Sequence, residues 1–300
     1  MFNERLVPGR YDAVVDQRIL DFLETLEPSA TELAKLEDVD QPHRLAAQVT
    51  DALARQLANV SDVDERVALV NRVLGLLEEP HTAIAAPPRR LLSVVDPPRS
   101  HAVGPDIPLS QHDLLVNARG EPHLAAELKK EIASAERVDL IVAFVRWYGV
   151  RLLVAELEAA IKRGVEVRLL TTTYTGSTEA SALERLREIG VDVRVSYDTQ
   201  MTRLHAKAWL FHRASGYSTA YVGSSNLTHS AMVDGREWNV RLSRSATPAL
   251  FEKVVAAFEG QWESGDYEPY DANRFEAATR PVDPNSPLSG LQLRALPYQD

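Results

Sequence analysis

The chain has 300 residues, a formal net charge of −10 and a hydrophobic content of 45%. This length is about twice that of a typical domain, so we expect two folded domains with cores of their own. The sequence contains no cysteine, which excludes disulfides and thiolate metal sites and favours a cytoplasmic location. No apolar stretch approaches the roughly 20 residues that a membrane helix needs, and the first residues lack a signal-peptide core, so we expect a soluble protein.

The first part of the chain is predicted to be helical and acidic. Apolar side chains recur at helical spacing in three segments, residues 11–26, 45–57 and 65–77. Residues 1–80 contain 8 basic and 16 acidic side chains, a balance of −8. We therefore predict an acidic helical domain over residues 1–85. Residues 86–107 are rich in proline and arginine, which is typical of a linker.

Residues 108–265 alternate between strand and helix patterns. The predicted order is strand, helix, strand, helix, strand, in residues 139–145, 150–163, 165–170, 178–189 and 191–196, with a closing helix over residues 251–262. Alternation of this kind favours an α/β layered domain in which a mixed β-sheet is flanked by helices. The threonine-rich residues 171–177 follow a strand, where they either line a ligand site or form a solvated loop.

The clearest pattern lies between the last predicted strands. Residues 203–211 are apolar and β-compatible, so His205 and Lys207 should share one face of a strand while the alternate residues are buried. A second apolar run after a short break predicts a hairpin partner that leads into a turn containing Asn226. A third run begins at Glu237. Three adjacent strand ends would bring a histidine, a lysine, an asparagine and a glutamate together.

These residue types suit phosphoryl transfer, in which charge develops on the phosphate oxygens. A neutral imidazole of His205 can attack phosphorus and form a covalent phosphohistidine. Lys207 and Asn226 can hold the phosphate oxygens, and Ser224 can donate a further hydrogen bond. Glu237 can accept a hydrogen bond from the other ring nitrogen of His205 and so fix its tautomer. Such a scheme needs no metal and no cofactor.

The ordered set of His205-x-Lys207, the Gly-Ser-Ser-Asn turn that ends at Asn226, and Glu237 resembles the active-site signature of the phospholipase D superfamily. It is most similar to the branch with metal-independent nucleases and the phospholipase-D-like domains joined to superfamily II helicases. The resemblance covers residues 108–265. The better-known form of the motif has an aspartate five residues after the lysine, where this chain has His212. That departure argues against a lipid hydrolase and makes Glu237 the natural supporting carboxylate.

The resemblance also implies an assembly. Members of the superfamily use two such motifs in one active site, one histidine as nucleophile and the other as general acid. Only His205 is followed two residues later by lysine, so the resemblance implies a homodimer with a shared site. His229 is a local alternative for the second histidine, although its position fits a solvent-facing residue at the start of a helix better.

The net charge opposes binding to a polyanion such as DNA. The charge is uneven, however, because residues 201–246 contain 6 basic and 2 acidic side chains, a balance of +4. Five arginines of this segment are candidates for contacts with phosphates that flank the scissile one: Arg203, Arg213, Arg236, Arg241 and Arg244. Arg203 and Arg236 are the first choices because they adjoin the site residues in sequence. Solvated strand faces are the ordinary alternative for the others.

The last residues, 266–300, are predicted to form a linker. Residues 281–287 have a linker composition, and the segment Pro297-Tyr-Gln299 resembles the adenine-recognising entry to a superfamily II helicase core. The chain is then either the amino-terminal module of a helicase or a protein with a short tail that contains those residues by chance.

The sequence therefore predicts a metal-independent phosphodiesterase, a DNA nuclease in first place, that acts through a phosphohistidine on His205. Its expected partner is nucleic acid, with DNA favoured over RNA, and no membrane. A non-catalytic module that binds nucleic acid or dimerises in a helicase is the first alternative. A phospholipase or phosphatidyl transferase is the second, and it requires a membrane-binding surface.

Overall fold

The computed structural model describes residues 14–25, 33–35, 38–39, 41–77, 82–92, 103–118, 123–198, 204–233 and 235–279. The chain divides into two compact units, Met1–Val94 and Val95–Asp300. The division falls inside the segment 86–107 that the sequence predicts as a linker.

The described part of the first unit is helical, as predicted. Its helices are α1, Gln17–Leu23, α2, Gln41–Asn59, and α3, Val63–Leu76. Asp16 and Asp62 cap α1 and α3, because their carboxylates accept hydrogen bonds from the third residue that follows each of them. None of the three helices contains a buried residue among those described.

The second unit is built on one sheet. Its elements in chain order are β1 (Asp113–Leu115), α4 (Leu124–Ser134), β2 (Arg137–Ile141), α5 (Trp147–Lys162), β3 (Glu166–Thr172), α6 (Ala180–Glu188), β4 (Asp192–Ser196), β5 (Ala208–His212), β6 (Thr219–Gly223), α7 (His229–Val233), β7 (Asn239–Ser243), α8 (Pro248–Trp262), β8 (Glu268–Pro269) and α9 (Ala272–Thr279). The strand order is β1-β7-β6-β5-β2-β3-β4-β8. Strands β2, β3 and β4 run parallel and the other pairs antiparallel. This mixed sheet flanked by helices confirms the predicted fold.

Two apolar clusters cover the two faces of the sheet. The larger one contains side chains of α4, α5 and α6 together with Trp209 and Phe211 of β5. The smaller one contains Phe251 and Phe258 of α8 together with Leu210 of β5. Both faces of β5 are therefore buried, and the prediction that only alternate residues of this segment are buried was wrong. A central strand between two helical layers has no solvated face, which removes the alternation.

The predicted helices and strands of this unit exist, with ends that differ by a few residues. Gly164 and Gly190 have φ angles of +88° and +102° directly beyond α5 and α6, the left-handed conformation that favours glycine after a helix. Strand β2 starts two residues earlier than predicted, at Arg137. Among the residues that the structure describes, no helix is both long and apolar enough to cross a bilayer.

The second unit continues past residue 265, where the sequence predicted a linker. Strand β8 pairs antiparallel with β4. Tyr270 and Phe275 are buried in the larger cluster, so α9 belongs to the folded unit. The two-residue strand has no periodicity that a sequence pattern can reveal. Residues 280–300, including the Pro-Tyr-Gln segment, lie outside the described residues.

A buried carboxylate ties helix α4 to strands β6 and β7 and to the residue that follows β5. Glu131 is fully buried and accepts hydrogen bonds from Arg213 Nη2 at 2.6 Å and from Arg241 Nη2 at 3.0 Å. It also accepts bonds from the hydroxyls of Thr219 and Tyr221, at 2.8 and 3.1 Å. Burial raises the pKa of Tyr221, and the neighbouring Glu131 raises it further. The carboxylate therefore faces two cations and two hydroxyl donors at one point.

We expect Glu131→Gln to lower the free energy of unfolding of this unit by roughly 3–5 kcal/mol, because two buried guanidinium groups lose their counter-charge. Urea unfolding followed by tryptophan fluorescence checks this, since all 4 tryptophans lie in the second unit. The control is Arg244→Ala, which removes an exposed pair with Glu252 and should cost at most about 1 kcal/mol. Equal effects of the two substitutions would contradict the assignment.

Candidate active site

The parts of the sequence motif meet at one edge of the sheet. Strand β5 begins there, its neighbour β6 ends there, and β7 begins beside β6. Gly223 pairs with Asn239, and its N–H donates to the carbonyl of Lys207 at 3.1 Å. The antiparallel register therefore brings the His-x-Lys segment, the Gly-Ser-Ser-Asn turn and the approach to β7 together, as the sequence predicted.

His205 and Lys207 lie just before β5 and not within a strand. The prediction that they share a strand face was wrong, because His205 and Ala206 are both exposed and Lys207 is only 6% exposed. Their side chains meet nonetheless. Lys207 Nζ lies 3.0 Å from His205 Nδ1 and donates to the carbonyl oxygen of His205 at 2.7 Å. The lysine thus bends back and leaves the imidazole open to solvent.

The electrostatics of Lys207 follow from its burial. Loss of solvation lowers the pKa of Lys207 below its ordinary value of 10.5, and the negative charge of Glu237 opposes that shift. The charge of Glu237 therefore favours the ammonium form of Lys207. A lysine that is partly desolvated beside an exposed imidazole is a compact cation that can bind a phosphate oxygen.

Ser224 joins the turn to the start of β7. Its hydroxyl donates to the carboxylate of Glu237 and accepts a hydrogen bond from the N–H of Trp238 at 3.1 Å. The two backbones approach so closely that a Cβ on Gly223 would lie 2.1 Å from the carbonyl oxygen of Trp238. Glycine is therefore required at this point of the motif. No hydrogen bond joins Glu237 to His205, and the orienting role of this carboxylate stays a prediction.

Asn226 is oriented by the segment that follows β2. Its Oδ1 accepts a hydrogen bond from the N–H of Phe144 at 3.0 Å, so its amide NH₂ group remains as a donor. The N–H of Leu227 donates to the carbonyl of Phe144 at 3.1 Å, and the N–H of Arg146 donates to the carbonyl of Leu227 at 2.9 Å. The asparagine is therefore held by backbone contacts to a segment about 80 residues earlier in the chain.

This segment contains residues that the sequence analysis missed. Arg146 and Tyr148 are exposed at the start of α5. A Cβ on Gly149 would lie 2.3 Å from the carbonyl oxygen of Leu227, so this end of α5 touches the loop that contains Asn226. No spacing signal links these residues to the motif, because their proximity depends on the bridge between Val145 and Leu227.

The model of a protein family described as "cardiolipin synthase, PLD-like domain" matches residues 128–262. That range contains the sheet edge, the His-Lys contact and the Gly-Ser-Ser-Asn turn. Residues 128–262 form a phospholipase-D-like domain. This match confirms the resemblance to phospholipase-D-like domains that was drawn from the motif.

Several solved structures are similar to this chain. Nuc from Salmonella typhimurium, a phospholipase D family member, is 20% identical over 53% of this chain and 99% of its own, with a TM-score of 0.41. NucT from Helicobacter pylori is 14% identical over 53% of this chain and 99% of its own, with a TM-score of 0.44. The yeast tyrosyl-DNA phosphodiesterase is 13% identical over 52% of this chain and 39% of its own, with a TM-score of 0.35. No curated protein matches the chain.

Three of the candidate phosphate-binding arginines of the phospholipase-D-like domain pair with glutamates instead. Arg213 and Arg241 are buried against Glu131, and Arg244 pairs with Glu252. The positive balance of residues 201–246 therefore does not describe a basic surface, because acidic partners come from α4 and α8. Arg236 is exposed and forms no ion pair with any described residue, whereas Arg203 lies outside the described residues.

His212, at the position of the missing aspartate, lies at the opposite end of β5 from His205. Its Nε2 is 2.7 Å from a carboxylate oxygen of the buried Asp139, which also accepts a hydrogen bond from Arg168 at 2.7 Å. Burial alone would raise the pKa of Asp139, but the hydrogen bonds from His212 and Arg168 outweigh it and hold the pKa below its ordinary value. A groove of about 390 Å³ beside His212 and Phe251 lies at this end of β5, away from His205 and the candidate active site.

The first three residues of the threonine-rich segment 171–177 are structural, and for them neither expectation was correct. Thr171, Thr172 and Thr173 are buried. Their hydroxyls donate to the carbonyl oxygens of Ala143 and Ser196. These bonds join the segments that follow β2, β3 and β4, so the threonines support the edge of the sheet without lining the site.

His229 is the exposed first residue of α7, which confirms the preferred interpretation of this residue. In the described ranges, no group of three or more histidine, aspartate or glutamate side chains could hold a metal ion.

Glu237→Gln should lower the pKa of Lys207 further, because burial would act without the opposing carboxylate charge. NMR titration of protein with isotope-labelled lysine measures this pKa, and Lys207→Arg assigns the resonance by removing it. Ser224→Ala is the matched control, since it removes the hydrogen bond to Glu237 and keeps the charge. An unchanged or raised pKa in Glu237→Gln would contradict the proposed proximity of the two charges.

Proposed function

We propose that this chain is a phosphodiesterase that cleaves nucleic acid, DNA in the first instance, through a covalent phosphohistidine on His205. The observation that carries the proposal is the contact of a buried cation with an exposed imidazole: Lys207 Nζ lies 3.0 Å from His205 Nδ1. A backbone hydrogen bond from Gly223 to Lys207 joins the turn that contains Ser224 and Asn226 to this segment. An exposed nucleophile next to a fixed cation and amide donor matches the needs of phosphoryl transfer.

In the first step, Nε2 of His205 attacks phosphorus while the bond from phosphorus to the leaving oxygen breaks. Lys207 and the NH₂ group of Asn226 bind the nonbridging oxygens, whose charge grows in the transition state. In the second step, water attacks the phosphohistidine and the nitrogen–phosphorus bond breaks. The product is a phosphomonoester, and His205 returns to its free form.

The leaving oxygen needs a proton in the first step, and the attacking water must lose one in the second. We assign both transfers to the imidazole of a second copy of the chain, because only one histidine of the sequence has the motif. That imidazole donates its proton to the leaving oxygen and then accepts one from water. The proposal therefore includes a homodimer with one active site made of two His205 side chains.

The contact between Lys207 and Nδ1 has a consequence for the two roles. An ammonium group only donates hydrogen bonds, so a neutral imidazole in this contact has its proton on Nε2. The general acid instead needs a proton on both ring nitrogens, because loss of one then leaves a neutral imidazole. The nucleophilic copy needs the proton on Nδ1, and we propose that it forms when Lys207 moves its hydrogen bond to the phosphate and a carboxylate, Glu237, takes its place.

Nucleic acid is favoured over lipid by the charges around the site. Lys207, Arg146 and Arg236 provide positive charge on a chain with a net charge of −10, and phosphates on either side of a scissile bond require more than one cation. A fused helicase core beyond residue 300 stays part of the proposal, on the sequence of residues 297–299 alone.

Labelled single-stranded and duplex DNA should be cut by the wild-type chain in excess EDTA. His205→Ala should reduce the rate at least roughly a thousandfold, since both chemical steps need this imidazole. Acid quenching of the wild type should trap phosphate bound to histidine. Tyr217→Ala, at an exposed turn at the far end of β5, should cut at the wild-type rate.

Loss of cutting in EDTA that returns with a divalent ion would reject the metal-free mechanism. DNA binding without cutting would favour the non-catalytic module, and hydrolysis of phospholipid vesicles without DNA cleavage would favour a lipid enzyme.

Mixed dimers test the shared site. Wild-type and His205→Ala chains with different affinity tags are co-expressed, and dimers that contain one chain of each are purified on both tags. If the two histidines act in one site, the mixed dimer should be nearly as inactive as the double-mutant dimer. Half of the wild-type rate would show that each chain works alone, and a monomer in light scattering would reject the dimer.

A further inference from the structure

Trp238 adjoins the site and is solvent-exposed. Its side chain is 67% exposed, whereas Trp209 and Trp262 are 2% and 7% exposed. Exposure of a large aromatic ring is unfavourable in water, and tryptophan is usually well buried. An exposed tryptophan directly after Glu237 therefore needs an explanation other than the core.

The backbone of Trp238 is fixed relative to the site residues. Its N–H donates to Ser224 Oγ at 3.1 Å, and its carbonyl accepts from the N–H of Ser224 at 3.1 Å. The missing side chain of Gly223 permits this approach. The same Ser224 hydroxyl donates to the carboxylate of Glu237. The indole is thus attached to a backbone that is held in place next to the groups that would bind a phosphate.

A second exposed ring adjoins the same loop from α5. Tyr148 is 59% exposed, and the guanidinium of Arg151 lies 5.1 Å from the centre of its ring. Its neighbour Gly149 touches the backbone of Leu227, one residue after Asn226. Exposed arginines precede both rings in sequence: Arg146 precedes Tyr148 by two residues, and Arg236 precedes Trp238 by two.

Rigid aromatic rings among cations are what proteins use to bind single-stranded nucleic acids, because bases stack on the rings while the cations follow the phosphates. A duplex hides the faces of its bases. We propose that Trp238, with Tyr148 as a second platform, stacks on the bases next to the scissile phosphate and makes single-stranded nucleic acid the preferred substrate. This inference rests on the proposed function and names its substrate class.

The first test compares cleavage of one sequence as a single strand and as a duplex by the wild type, Trp238→Ala, Trp238→Phe and Tyr217→Ala. Trp238→Ala should lower kcat/KM for the single strand by roughly 5- to 150-fold, the range that base stacking provides, and should lower that for the duplex much less. Trp238→Phe keeps a ring and should retain most of the activity. Tyr217→Ala removes an exposed ring away from the site and should match the wild type.

The second test measures binding without cleavage. In a His205→Ala background, fluorescence anisotropy gives Kd for a labelled single strand and for the same strand with abasic positions around its centre. Abasic positions keep the phosphates and remove the stacking partners, so they should weaken binding to the parent protein. They should make little difference once Trp238→Ala or Tyr148→Ala is added.

The outcomes separate the two proposals. Cleavage by the wild type with an unchanged single-strand preference in Trp238→Ala would overturn the stacking inference and leave the nuclease intact. A wild type that does not cut, but whose binding loses its dependence on bases in Trp238→Ala, would overturn the nuclease and retain the inference. Conversion of the dimer to a monomer by Trp238→Ala in light scattering would instead assign the ring to the interface between two copies and overturn the inference.

Discussion

The geometry of the candidate site depends on the buried carboxylate of Glu131. It binds Arg213 beyond the end of β5, Thr219 and Tyr221 of β6, and Arg241 of β7. These strands deliver the site residues at their opposite ends. A shift of one residue in the register would turn Tyr221 and Arg241 to the other face and away from the carboxylate. A buried ion pair is weak evidence for stability, but it specifies one register strongly.

The site has a small number of positive charges on a chain whose net charge is −10. Most arginines near the motif are neutralised by glutamates from α4 and α8. Arg146 and Arg236 are exposed, whereas Lys207 is only 6% exposed. The electrostatic attraction for a phosphodiester is therefore local, and the net charge of the chain says little about it. Ser224 is the centre of this arrangement, because it contacts both the carboxylate of Glu237 and the backbone of Trp238.

The two tasks that we propose for the site, chemistry and recognition of bases, fall on different structural elements. The proposed chemistry depends on His205, Lys207 and Asn226, which lie before β5 and in the turn after β6. The recognition of bases depends on a ring at the start of β7 and another at the start of α5. Because the two sets come from different elements, substrate preference can change without loss of the phosphate-binding groups.

The sequence by itself determined the types and order of the elements and the residues of the motif. Helical periodicity with glycine at positive φ after α5 and α6, apolar strand runs, and the ordered His-x-Lys, Gly-Ser-Ser-Asn and Glu set are all encoded over short distances along the chain. Only the tertiary structure decided that Lys207 points inward while Ala206 is exposed, and that Arg213 and Arg241 are buried. The two arginines are buried by contacts with Glu131, which lies 82 and 110 residues away from them along the chain. The alignment of Asn226 by Phe144 and the proximity of Tyr148 to the site arise in the same way, because strand pairing brings together segments whose spacing along the chain has no fixed value.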